Sequence, residues 1–116
     1  MSKKVNQYQL KGRIWIDIGD KNFMGRGKAE LLKKTADLGS LRKASMELGM
    51  SYRQAWYSLN RLNSVAGKPL VILQRGGKNG GRALLTGFGI EILEMFEREQ
   101  LEFEEFLRHR NEILNL

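Results

Sequence analysis

Three short helical segments, each stopped by glycine and separated by one or two residues, constrain this chain more than any other feature. Lys28 to Leu38 carries Ala29, Leu31, Leu32, Thr35, Ala36 and Leu38 at helical spacing, and Gly39 ends it. Ser40 caps a second segment, Leu41 to Leu48, which Gly49 ends. Ser51 opens a third, Tyr52 to about Ala66, with Gln54 completing a capping-box pattern and Gly67-Lys68-Pro69 closing it. Segments joined this tightly must cross at a steep angle, and Ala44, Ser45, Gly49 and Ala55 are small where the crossing demands it. This is the grammar of a helix-turn-helix. An ordinary helical corner explains the turn alone but not the basic, glycine-rich hairpin that follows.

That hairpin consists of the apolar run Leu70 to Gln74, a plausible partner from Arg82 to Thr86, and a tip, Gly76 to Gly81, with four glycines. Lys78 and Asn79 lie at the tip's centre, and Arg75 and Arg82 at its base. Such a wing can bring its cations to phosphates or into a minor groove. Projection of the third helix at about 100° per residue turns Ala55, Leu59, Leu62 and Ala66 to the core, while Arg53, Gln54, Tyr57 and Arg61 point elsewhere. In a major groove Arg reads guanine and Gln reads adenine, and Ser51 and Tyr52 at the helix start suit phosphate contact. Trp56 reads as core. For Tyr57, packing and DNA contact stay equally open.

Upstream, Tyr8 to Ile18 alternates, with Leu10, Gly12, Ile14, Ile16 and Ile18 on one face, predicting a half-buried strand over 8–18. Gly19 to Asn22 reads as a turn and Phe23 to Gly27 as a loop. The loop's Gly-x-Gly lacks the surroundings of a dinucleotide fingerprint, and the tip's Gly-Lys-Asn lacks the Ser or Thr that would hold magnesium in a phosphate-cradling loop. Downstream, Thr86 to Leu116 is one long amphipathic helix. Its stripe of Ile92, Leu93, Phe96, Phe103, Phe106, Leu107, Ile113 and Leu114 is wider than a small body can cover. Gln100 and Arg110 interrupt the stripe, and Glu99, Glu102, Arg108 and Arg110 supply flanking charge. Pairing with a second copy accounts for the surplus, and a symmetric dimer would present two reading helices to two half-sites.

Charge agrees with this division. Residues 1–86 hold 17 of the 20 Lys and Arg and 5 of the 13 Asp and Glu, a net of +12, whereas residues 87–116 carry −5. A basic body suits a polyanion. The absence of cysteine excludes disulfides and thiolate sites, and the lone His109 offers no metal cluster and no nucleophile beside it, so neither cofactor nor enzyme is expected. No run is long and apolar enough for a membrane span or a signal core, which predicts a cytoplasmic protein.

The run Gly39-Ser40, Ala44, Leu48 to Tyr52, Ala55-Trp56, Asn63, Pro69 to Val71, Gly76 to Lys78, Gly80-Gly81, Leu85-Thr86 and Gly89 resembles the N-terminal DNA-binding domain of ModE-type molybdenum-dependent transcriptional regulators. That domain is distantly similar to the LysR-type winged helix. The resemblance covers about residues 8 to 114 and implies DNA binding, dimerisation and transcriptional regulation, with Ser51, Tyr52, Arg53 and Lys78 as contacts. Nothing here matches the family's molybdate-binding barrels. Signal input is then explained by a constitutive binder, by a sensor on a separate chain, or by a small ligand at the dimer cleft.

The expected protein is mainly α with a small β component: a winged helix-turn-helix over 1–86 (helix-turn-helix 40–66, wing 70–86) and a dimerisation helix over 87–116. Its expected partners are double-stranded DNA and a second copy of itself. The rival reading is a protein-interaction module that keeps the scaffold without binding DNA.

Overall fold

The computed structural model describes residues 7–74 and 82–116. In chain order these form β1 (Trp15–Ile18), β2 (Lys21–Gly25), α1 (Arg26–Leu38), α2 (Leu41–Glu47), α3 (Tyr52–Ala66), β3 (Val71–Gln74), β4 (Arg82–Leu85) and α4 (Gly87–Leu114). The architecture is the expected one, mainly helical with two small antiparallel sheets, β1 with β2 and β3 with β4. Leu31 and Leu32 of α1, Leu41 and Ala44 of α2, and Ala55, Leu59 and Leu62 of α3 are buried together with Leu70, Val71 and Ala83 of the wing and Leu93 and Phe96 of α4. The buried polar side chains Thr35, Ser40 and Ser45 satisfy themselves locally: Thr35 Oγ1 donates to the Leu31 carbonyl at 2.7 Å, Ser45 Oγ to that of Arg42 at 2.8 Å, and Ser40 Oγ accepts from the Lys43 N–H at 3.1 Å.

Two expectations fail at the N-terminal end. The strand predicted over 8–18 is a strand only from Trp15, and the predicted loop Phe23 to Gly27 is β2 followed by the first turn of α1. Phe23 and Met24 are both buried although adjacent, so the period-two alternation that would reveal a strand is missing. Gly19, at φ +61°, turns the chain between β1 and β2.

Residues 7–14 form no strand and are tied, at Tyr8 and Leu10, to the C-terminal end of α4. Asn111 Oδ1 accepts from the Leu10 N–H at 2.6 Å and Asn111 Nδ2 donates to the Leu10 carbonyl at 3.1 Å. Asn115 treats Tyr8 in the same way, at 3.0 and 2.8 Å. Four residues of helix rise about 6.0 Å and two residues of extended chain about 6.8 Å, so asparagines at i and i+4 meet backbone groups at i and i+2. Gly12 completes the docking, since a Cβ there would stand 3.0 Å from the Phe103 ring. Replacing Asn111 and Asn115 together by alanine is expected to free the Tyr8 and Leu10 amides. Their hydrogen exchange should then rise by about tenfold or more, consistent with about 1 kcal/mol per lost bond, and unchanged protection would refute the clamp.

The base of α4 is fixed by Thr86, whose N–H donates to the Leu70 carbonyl at 2.9 Å and whose Oγ1 accepts from Gly89 N–H at 2.9 Å as the helix cap. Its 28 residues give α4 a length of about 42 Å, and its C-terminal half extends well past the core.

Candidate nucleic-acid interface

The geometry of the α2–α3 corner follows from its turn residues. Gly49 takes φ +68°, and the Met50 N–H returns to the Ser45 carbonyl at 3.0 Å. Ser51 Oγ then accepts from the Gln54 N–H at 3.0 Å, while Gln54 Oε1 accepts from the Ser51 N–H at 3.3 Å. Across the turn, the Arg42 guanidinium lies over the Tyr52 ring, 4.9 Å from its centroid. The corner is held by backbone, cap and stacked cation together.

Three residues expected to touch DNA also serve this corner. Gln54 Oε1, one of the two groups that paired recognition of adenine uses, accepts in the cap. Ser51 Oγ is engaged in the same box. Tyr52 is half-buried against the core beneath Arg42, which leaves only part of it for a phosphate.

The remaining outward residues of α3 line up. Arg53, Tyr57 and Arg61, at successive i+4 positions, are all exposed, and Tyr57 at 70% is a surface residue rather than a packing one. Trp56 is half-buried on the core, as expected. Asn60 and Ser64 border the same face and form a shallow groove with Trp56, Tyr57 and Arg61. Sequence reasoning passed over Asn60, and also over Arg42 and Lys43 on α2. The spacing of Asn60 from Arg53 and Tyr57 was legible, whereas only the turn brings Arg42 beside α3.

On the wing, Arg82 is exposed at the start of β4. Arg75, Lys78 and Asn79 lie outside the described residues. The wing's root is set by Asn63 of α3. Its Oδ1 accepts from the Leu70 N–H at 2.8 Å, and its Nδ2 donates to the Val71 carbonyl at 2.8 Å. Alanine at position 63 strands these buried-edge backbone groups and should cost about 2–3 kcal/mol in denaturant unfolding; a loss below about 0.5 kcal/mol would refute the anchoring role.

Charge on this face is uncompensated. The ion pairs among the described residues join Lys33 to Glu97, Lys34 to Glu47, and Arg108 to Glu105 and Glu112 on α4; none involves Arg42, Lys43, Arg53, Arg61 or Arg82. Nearby, burial and then the charge of Arg61 push the Lys28 amine below its ordinary pKa.

The surface expected to pair two copies is divided by the structure. Leu93 and Phe96 are buried within the chain's own core and are not free to form an interface. Ile92 packs partly against that core. Phe103 and Leu107 are half-buried, Phe103 against the N-terminal segment, whereas Phe106, Ile113 and Leu114 are exposed. The Phe103 and Phe106 rings stack with centroids 6.4 Å apart. No helix among the described residues is long and apolar enough to cross a membrane.

No protein-family model matches the chain. Among curated proteins it is 32% identical over 103 residues to the molybdenum transport protein ModE of Azotobacter vinelandii, spanning 89% of this chain and 38% of that protein. It is likewise 32% identical over 84 residues to the DNA-binding transcriptional dual regulator ModE of Escherichia coli K12, spanning 72% of this chain and 32% of that one. The chain thus spans about a third of the length of these relatives. In fold it is similar to the crystal structure of ArgP from Mycobacterium tuberculosis, with a TM-score of 0.55 at 20% identity over 73% of this chain and 30% of ArgP.

Proposed function

Because this chain is a homologue of the ModE-type proteins over most of its length, we propose that it is a sequence-specific, double-stranded-DNA-binding transcriptional regulator that acts as a homodimer. The observation that carries this reading is the row Arg53, Tyr57, Arg61 on the open face of α3, inside a field of cations with no carboxylate partners among the described residues. A helix entering a major groove with its N-terminal end foremost brings Arg53 to base edges, with Tyr57, Asn60 and Arg61 following along the groove. Arg42, Lys43 and Arg82 then meet phosphates, and the wing tip, with Arg75, Lys78 and Asn79, reaches the neighbouring backbone or minor groove. The role is regulatory rather than catalytic, and its place is the cytoplasm.

Residues 1–86 make up the reading unit and α4 the pairing element. With Leu93 and Phe96 committed to the core, the pairing surface centres on Phe106. Glu102 and Arg110 stand four residues to either side of it, so two α4 helices laid antiparallel about Phe106 would match each Glu102 with the partner's Arg110. Pairing opposite charges on both sides of a shared aromatic contact is what a two-fold interface requires.

The test is fluorescence anisotropy on duplexes selected by the purified protein from random genomic fragments, across a salt series. Binding should weaken steeply with salt. Arg53→Ala should cost about 1–3 kcal/mol on the selected site and relax preference at one position. Arg82→Ala should weaken all duplexes alike and lower the salt slope by about 0.9. Absence of salt-dependent binding to any duplex, with Arg53→Ala and Arg61→Ala indistinguishable from the parent, would instead favour an interaction module.

A further inference from the structure

Several features that DNA binding leaves unused converge on one cleft. Gly25, Arg26 and Gly27 at the junction of β2 and α1, the exposed Trp15, the cations Arg13 and Lys28, and Gln100, the polar break in the apolar stripe of α4, line a half-open cavity of about 550 Å³. This lies within the usual size range of small-molecule sites, about 300–1,000 Å³. None of its lining comes from α2, α3 or the wing.

The chemistry of the walls is specific. Arg13, Arg26 and Lys28 make no ion pair among the described residues, and the cleft's one carboxylate, Glu30, leaves it with a net of two positive charges. Lys28 Nζ donates to Asn22 Oδ1 at 3.2 Å, a neutral acceptor that does not balance its charge. Burial and the charge of Arg61 both disfavour the ammonium there, a strain that an anion would relieve. Trp15, which lines the same cleft, is 58% exposed and so leaves part of its indole free for a ligand. Gln100 spends its Nε2 on Glu104 at 2.9 Å, leaving its oxygen to accept a further bond. Among the described residues nothing fills the space above Gly27, where a Cβ would meet no atom within 4 Å.

We propose that this cleft binds a small organic anion, a flat ring stacked on Trp15 with a carboxylate or phosphate held by Arg26, Lys28 and Arg13. Cations alone would suit any anion; an exposed indole in the same half-open lining selects one carrying a ring. The proposal stands apart from DNA binding, and its test contains no DNA in the first stage.

Phenyl phosphate is titrated into the full chain labelled with ¹⁵N, with inorganic phosphate and phenol as separate arms. The expected result is saturable movement of the Trp15 indole N–H and the Arg26 and Gly27 amides with phenyl phosphate, and binding at least about tenfold weaker in each other arm. Lys28→Gln and Gly27→Glu, the latter placing a carboxylate in the cleft, should each weaken phenyl phosphate by about tenfold or more while the spectrum stays dispersed. Three results overturn the proposal: no saturable movement, equal response to inorganic phosphate, or binding that survives both substitutions. In a second stage, Gly27→Glu should leave the affinity for selected duplexes within about threefold of the parent, reduced only by the general effect of one added negative charge. A loss of DNA binding as large as the loss of phenyl phosphate binding would make the cleft part of the DNA surface and also overturn the proposal.

Discussion

Gly89→Ala is expected to destabilise the protein by about 3 kcal/mol or more, through overpacking at a site that has no room to relax. A Cβ at this position would stand 2.1 Å from the Leu70 carbonyl oxygen and 2.9 Å from both its carbon and Leu85 Cδ1. The oxygen cannot retreat freely, because it accepts from the Thr86 N–H at 2.9 Å and from Thr86 Oγ1 at 3.1 Å. Either α4 lifts from the wing or the wing leaves Asn63. For a domain of this size the change lowers Tm by roughly 10–20 °C. Thermal unfolding followed by circular dichroism measures it, and a shift under about 3 °C would show that the contact between α4 and Leu70 is soft.

The second large effect concerns pairing. Phe106→Asp buries a carboxylate at the centre of the proposed two-fold contact and should convert a dimer to a monomer in sedimentation at micromolar concentration. Affinity for a two-half-site operator should then fall by about 10²–10³, the advantage that linking two reading units confers. Glu102→Arg alone should weaken the dimer by placing two arginines together, and adding Arg110→Glu should restore it by exchanging the pair. An undiminished dimer in Phe106→Asp, or no restoration by the charge exchange, would move the interface elsewhere on the chain. Because residue 106 is exposed in the single chain, the monomer should keep its fold, and its melting profile separates loss of pairing from loss of structure.

Much of the helical body was legible because its signals are local. Ser40, Ser51 with Gln54, Gly39, Gly49 and Gly67 satisfy or terminate backbone hydrogen bonding within a few residues, so α3 begins and ends where its caps place it. The same locality made Gln54 ambiguous. Its side chain fits both a cap and a base reader, and the folded geometry shows the cap. At β2 the failure had another cause: burial of the consecutive Phe23 and Met24 comes from neighbours on α1 and α3, which no period within the strand reports.

By itself the sequence determined the three short helices and their tight corner, the two strands that follow them and the apolar stripe of α4, all consequences of short-range periodicity and capping. Tertiary structure alone decided which part of that stripe is spent on the chain's own core, how residues 7–14 are tied to Asn111 and Asn115, and that Arg13, Trp15, Lys28 and Gln100 share one cleft. Periodicity states which face of an element is apolar or charged. What covers that face is settled by packing between residues up to 107 positions apart, and no local pattern encodes it.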